Sequence, residues 1–223
     1  MDTVDFLSTV PLLRGVGRED LARFAELTRT RKCARGSVIL SVNDPGNSLF
    51  IVREGRVKIV LSDAGREIIL GILGPGSHFG ELALIDGEPR SANVVAMDET
   101  ELIVLMREDF QRRVQESPAL AWALLLELSH RLRKADSQIG SLALLDVEGR
   151  MARLFLDSAD EAGAPTIKKR LTHQVIAQMI GASRETVSRA MTEFQNRGLI
   201  TVDRRQITVT DRQRLEAMAQ IRV

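Results

Sequence analysis

The chain has 223 residues, 44% of them hydrophobic and 27% charged, a length for one large or two ordinary domains and a balance that excludes wholesale disorder, collagen and a pure coiled coil. One cysteine, Cys33, excludes an internal disulfide, a cysteine-only metal site and a cysteine-ligated iron–sulfur cluster. The charge is unevenly spread: residues 1–150 hold 19 Lys and Arg against 22 Asp and Glu, residues 151–223 hold 12 against 8, and this basic C-terminal excess points to an anionic partner.

The first 30 residues contain an amphipathic stretch, Leu21, Phe24, Ala25 and Leu27, led in by Arg18-Glu19-Asp20, which predicts a packing helix. From Gly36 to Gly87 the texture changes. Nine of the 16 glycines fall there, and short alternating runs such as Val57-Lys58-Ile59 are separated by turn signals at Asp44-Pro45-Gly46, Glu54-Gly55 and Asp63-Ala64-Gly65. Many short strands predict a β-roll or barrel. Strand texture returns from Ser91 to Leu105, Glu108 to Val114 reads as helix, and Ser117-Pro118 opens the next helix as cap and first-turn proline.

From Trp122 onward Leu125, Leu128, Leu132, Ala135, Ile139 and Leu142 recur in alternating steps of three and four residues. A narrow stripe of period 3.5 favours a two-stranded coiled coil over a helix packed only on its own domain, so a parallel homodimer sealed by these leucines and Ile139 is expected. Asp146 to Gly149 marks a hinge, and a second domain begins near Val147. The longest unbroken apolar run, Ala119 to Leu126, is far shorter than the ~20 residues that span a bilayer. Asp2 and Asp5 replace a basic leader, so the expected location is cytoplasmic, with no membrane partner.

In the second domain, the run from Leu171 to Arg189 reads as two helices joined by a tight turn. Thr172 caps the first, Val175, Ile176, Met179 and Ile180 form its apolar face, Gly181 turns the chain and Ser183 caps the second. Val187, Ala190, Met191 and Phe194 form an inner stripe, which leaves Arg184, Glu185, Ser188 and Arg189, with Thr186 beside them, at the end a recognition helix inserts into the major groove. Arginine can fork onto guanine and glutamate can accept from cytosine. The plainer alternative is a helical hairpin with a solvated charged face. Gly198 ends the helix, and Leu199 to Thr210 predicts a hairpin wing whose Arg204 and Arg205 approach phosphates.

In the first domain, Phe79-Gly80-Glu81-Leu82-Ala83-Leu84 is followed by Pro89-Arg90-Ser91-Ala92. Gly80 permits close backbone approach, amides near Glu81 and Leu82 can face an anion, and Arg90 with Ser91 can hold a phosphate. An inherited structural turn that binds nothing is the other reading. His78, alone in a glycine-rich loop, is a weak metal-ligand candidate, and Cys33 reads as structural. His130 and His173 lack the partners for a nucleophile triad or a zinc site.

With these motifs in hand, the chain resembles the Crp/Fnr family of bacterial transcription regulators over nearly its whole length. The resemblance rests on Ser183 to Arg189, on the hinge phrase Leu142 to Arg150 and on the Phe79 to Ala92 cassette. It implies an α+β architecture with a cyclic-nucleotide-binding β-roll (1–116), a long dimerisation helix (117–146) and a winged helix-turn-helix (147–223). It further implies that Arg184, Glu185 and Arg189 read a palindromic operator with TGTGA-like half-sites, that Glu81 accepts from a ribose 2′-hydroxyl, and that RNA polymerase is a partner. In the cAMP-responsive branch a Thr-Ser or Thr-Asn pair meets adenine from the dimerisation helix. Ala135-Asp136 stands there instead, without the hydroxyl. The expectation is a regulator rather than an enzyme, with no tightly bound cofactor or metal and with cAMP as effector. A regulator that needs no ligand, or answers to cyclic di-GMP or another nucleotide, stays open.

Overall fold

The computed structural model describes residues 2–167, 171–204 and 206–220, and these form two compact units, 1–131 and 132–223. The first begins with helices α1 (Thr3–Thr9) and α2 (Arg18–Glu26), joined through a 3-10 turn at Pro11–Leu13. Eight strands follow: β1 (Arg29–Cys33), β2 (Val38–Leu40), β3 (Ser48–Glu54), β4 (Val57–Asp63), β5 (Arg66–Leu73), β6 (His78–Phe79), β7 (Asn93–Ala96) and β8 (Thr100–Met106). The short α3 (Leu82–Asp86) interrupts them between β6 and β7, and α4 (Arg107–Glu116) leads into α5 (Pro118–Leu144). The strands make two antiparallel four-stranded sheets, in the orders β1-β8-β3-β6 and β2-β7-β4-β5.

Strand β3 explains how this unit is layered. Its side chains alternate between faces, yet four in a row are buried, because both faces are covered. Leu49 and Ile51 join a core with Phe6, Leu7, Phe24, Phe110, Leu120 and Leu124 from the helices. Phe50 and Val52 face the other way, into a core between the sheets with Val57, Phe79, Val94 and Leu102. The Phe50 and Phe79 rings stack there, centroids 5.2 Å apart. Helix α1 is an element the sequence reading passes over, although its Phe6 and Leu7 are buried in the first core.

Helix α5 opens as expected, with Ser117 Oγ accepting from the Leu120 amide at 3.3 Å. Leu132 and Ile139 are 63% and 65% exposed, and Leu125 and Leu142 are exposed as well, but Leu128 packs half-buried against the core of its own unit beside Leu120 and Leu124.

In the second unit, α6 (Val147–Ala162) is capped by Asp146, whose carboxylate accepts from the Gly149 amide at 2.8 Å. Helices α7 (His173–Ile180) and α8 (Arg184–Asn196) follow β9 (Thr166–Ile167), and β10 (Ile200–Asp203), β11 (Gln206–Val209) and α9 (Arg212–Ala219) complete it. The sheet order is β10-β11-β9. Phe155 of α6 meets Phe194 of α8 edge-on, centroids 6.3 Å apart, and Met151, Ile176, Ile180, Val187 and Leu215 are buried in this unit.

Candidate functional site

Two sets of functional side chains are present, one in each unit. In the first, the chain leaves β6 through Gly80 at φ +86°, a left-handed conformation that side chains resist, and a Cβ there would lie 2.7 Å from the Arg90 guanidinium. The loop before β3 approaches as closely: a Cβ on Gly46 would lie 2.2 Å from that of Ala83. Arg90 is clamped by its backbone, its amide donating to Asp44 and its carbonyl accepting from Asn43, both at 2.9 Å. The residue is 5% exposed, and its guanidinium donates to the carbonyls of Gly80 at 2.7 Å and Ser48 at 2.8 Å, while Nε is buried without a partner. Burial, and then the nearby Arg107, hold its pKa below the ordinary value.

Glu81, immediately before α3, is 2% exposed. Oε1 accepts from Arg131 of α5 at 2.8 Å, while Oε2 is buried without a hydrogen-bond partner. Burial pushes the carboxyl pKa up, and Arg131 opposes this only in part. Arg131 also donates to the His78 carbonyl at 2.7 Å and to Glu127 at 3.0 Å. The His78 imidazole is buried, and burial, aided by Arg131, pushes its pKa down to about 3. Its Nε2 is buried without a hydrogen-bond partner.

The fold therefore brings Gly80, Glu81 and Arg90 together, while Ser91 and Leu82 are exposed. Ala135 and Asp136 lie on α5 one turn beyond Arg131, half-buried and exposed respectively, and belong to the second unit. Sequence reasoning missed Arg131, which is 50 residues from Glu81, and Arg107, which braces the site by donating to the carbonyls of Gly46 at 3.0 Å and Ala83 at 2.8 Å. Their only signal in the sequence was a basic residue at a helical position, which has many meanings.

In the second unit, Thr172 Oγ1 accepts from the Val175 amide at 3.2 Å, and Ser183 Oγ accepts from the Thr186 amide at 3.1 Å and meets its hydroxyl at 2.9 Å. Gly181 at φ +63° ends α7 and frees the chain to start α8 three residues later. The inner stripe of α8, Val187, Ala190, Met191 and Phe194, is fully buried as expected. On α7 the buried residues are Ile176, Ala177 and Ile180, whereas Val175 and Met179 are only half-buried. Arg184, Glu185 and Arg189 are exposed together at the start of α8, with Thr186 and Ser188 half-buried beside them. Hydrogen bonding at the helix start, to backbone and then to Ser183, keeps the Glu185 carboxyl below the usual range and so ionised at neutral pH. Antiparallel β10 and β11 form the wing, and at its tip Arg204 is exposed with φ +45°. Arg205 lies outside the described residues. No helix among the described residues is long and apolar enough to cross a membrane.

Residues 30–117 match the family of cyclic nucleotide-binding domains, and residues 149–218 match that of Crp-like helix-turn-helix domains. A "CRP-like cAMP-activated global transcriptional regulator" of Mycobacterium tuberculosis is 31% identical, over 96% of this chain and 99% of its own. The "Cyclic AMP receptor protein" of Thermus thermophilus is 32% identical, over 94% and 96%. Among solved structures, a c-di-GMP responsive global regulator of Xanthomonas campestris superimposes with a TM-score of 0.74 at 26% identity, over 87% of this chain and 100% of that one. A cyclic-nucleotide-binding fold followed by an exposed reading helix defines a DNA-binding transcription regulator. The chain belongs to the Crp/Fnr family, whose matching members are regulators and not enzymes.

Proposed function

We propose that the chain is a cytoplasmic homodimer in which a cyclic nucleotide, cAMP by preference, binds the β-roll and raises affinity for a palindromic operator. The observation that carries this reading is the pair of unsatisfied polar atoms in one site: Glu81 Oε2 is an acceptor without a donor, and Arg90 Nε a donor without an acceptor. A buried polar group left unpaired costs ~1–3 kcal/mol, and a ribose hydroxyl and a cyclic phosphate supply the missing partners. The phosphate sits against Arg90, Ser91 and the Gly80–Leu82 amides, and the ribose against Glu81. Ala135 and Asp136 offer the base an acceptor but no hydroxyl, which makes base selectivity looser than in relatives with a Thr-Ser pair. Cyclic di-GMP is the second candidate on that ground, and the Xanthomonas regulator gives it support.

The exposed seam residues Leu125, Leu132, Ile139 and Leu142 meet their counterparts in a second copy. Thr172, Ser183, Thr186, Ser188 and Arg204 contact phosphates or base edges around Arg184, Glu185 and Arg189, which read TGTGA-like half-sites, and RNA polymerase is engaged from the bound dimer. Calorimetric titration with cAMP, cGMP and cyclic di-GMP tests the ligand. Micromolar binding of one of them is the expected result, and absence of binding below millimolar concentration for all three rejects it.

A further inference from the structure

Arg90 has a second guanidinium in its neighbourhood, that of Arg107, the first residue of α4. Arg107 is half-buried; its amide donates to the Asn47 carbonyl at 2.9 Å and its side chain to the carbonyls of Gly46 at 3.0 Å and Ala83 at 2.8 Å. Gly46 is close to both arginines, since a Cβ built on it would lie 3.3 Å from the Arg90 guanidinium carbon. Every hydrogen bond the two guanidiniums make goes to a neutral acceptor, the carbonyls of Gly80 and Ser48 for Arg90 and those of Gly46 and Ala83 for Arg107. Among the described residues neither guanidinium has an ion-pair partner, and the Glu81 carboxylate is taken by Arg131 at 2.8 Å. The two cations act on each other: repulsion by Arg107 follows burial as a cause of the low Arg90 pKa, and Glu81 and Asp44 act the other way, each more weakly.

A carbonyl satisfies an arginine's donors without removing its charge, so this corner of the β-roll holds two positive charges with no carboxylate bound to either. Like charges brought together out of water are unfavourable until an anion arrives, and the anion is then attracted by both. We propose that Arg107 is a positioning residue that acts as the second cation of the ligand site: it draws the cyclic phosphate toward Arg90 by its field, while its own hydrogen bonds stay on the Gly46 loop and α3. The inference rests on the cyclic-nucleotide reading and adds to it the charge the ligand meets, two cations where it is bonded to one. A brace and a field differ in one respect that can be measured. A brace works through geometry and is indifferent to salt, whereas a field acts at a distance and is screened.

The test is calorimetric titration of the full-length protein with cAMP at about 50 mM and about 500 mM salt. The parent should bind more weakly at the higher salt. Arg107→Gln, which keeps a donor and loses the charge, should bind about tenfold more weakly than the parent at low salt and depend less on salt. Arg107→Lys, which keeps the charge and loses the planar fork, should stay within about threefold of the parent and keep its salt dependence. Gln111→Ala removes an uncharged donor to the Leu84 carbonyl of the same α3, at 2.8 Å, and should keep the parent's salt dependence too. An Arg107→Lys variant as weak as Arg107→Gln, or an Arg107→Gln variant with the parent's affinity or its salt dependence, overturns the proposal and leaves the nucleotide reading standing. A parent that does not bind cAMP overturns the cAMP reading and this inference with it.

Discussion

The two functional regions treat charge in opposite ways. In the β-roll, Glu81 and Arg90 are almost entirely buried, and each keeps one polar atom without a partner. On α8, Arg184, Glu185 and Arg189 stand in solvent, on a helix whose caps are satisfied. A buried, unsatisfied group is costly until a small ligand completes it, whereas an exposed charge costs nothing to keep and acts by meeting a large charged surface. The difference teaches where selectivity resides. On the proposed reading, the first site would reject a ligand that lacks one hydrogen-bonding group, and the second would discriminate by base edges laid along a helix.

The contrast can be broken most severely at the seam that would join two copies. Leu132→Asp should convert the dimer to monomer in sedimentation at micromolar concentration, because a carboxylate without a partner would be buried there. Next in size, Arg90→Leu should weaken cyclic-nucleotide binding by about a hundredfold in calorimetry, since a charge-assisted fork is lost and the carbonyls of Gly80 and Ser48 lose their donors.

His78 sharpens the buried side of the comparison through pH. Its imidazole is neutral in the folded protein with a pKa of about 3, against 6.5 unfolded, so the unfolded state binds the extra proton as pH falls. The stability this histidine allows is complete above pH 6.5 and declines as pH falls toward 3, by about 1.4 kcal/mol per unit, or roughly 2 kcal/mol by pH 5. Denaturant unfolding of the parent and of His78→Leu at pH 7.5 and pH 5 checks this: the difference in stability between the two should move in favour of the variant at the lower pH.

On the exposed side, Arg189→Ala should cost about 1–3 kcal/mol on the operator and relax selection at one base pair, as read in gel-shift series against point-substituted sites. An equal loss on random DNA would contradict a base-reading role. The smallest effect is expected from Ser183→Ala, which removes the α8 cap and should cost about 1 kcal/mol in thermal unfolding.

The same contrast governs what the sequence disclosed. The reading head was legible almost residue by residue, because Thr172, Gly181 and Ser183 act on their near neighbours and the inner stripe of α8 is a local period. The β-roll was legible as a texture of glycines and alternation, and its cassette as a short phrase. What fastens the site was not legible: Arg131 reaches Glu81 across 50 residues, and Arg107 reaches Gly46 across 61. Leu128 is the same lesson on a helix: the heptad names it as a stripe residue, and only tertiary packing shows that it also touches the core of its own unit.

The central claim is that the buried site controls the exposed one, which requires a ligand that favours the DNA-competent arrangement. The most direct measurement is a set of operator-binding isotherms for the parent and Arg90→Leu, each with and without saturating cAMP. The account predicts that cAMP tightens the parent on the operator and leaves Arg90→Leu unchanged. Equal operator affinity for the parent with and without a nucleotide that calorimetry shows to be bound would contradict it.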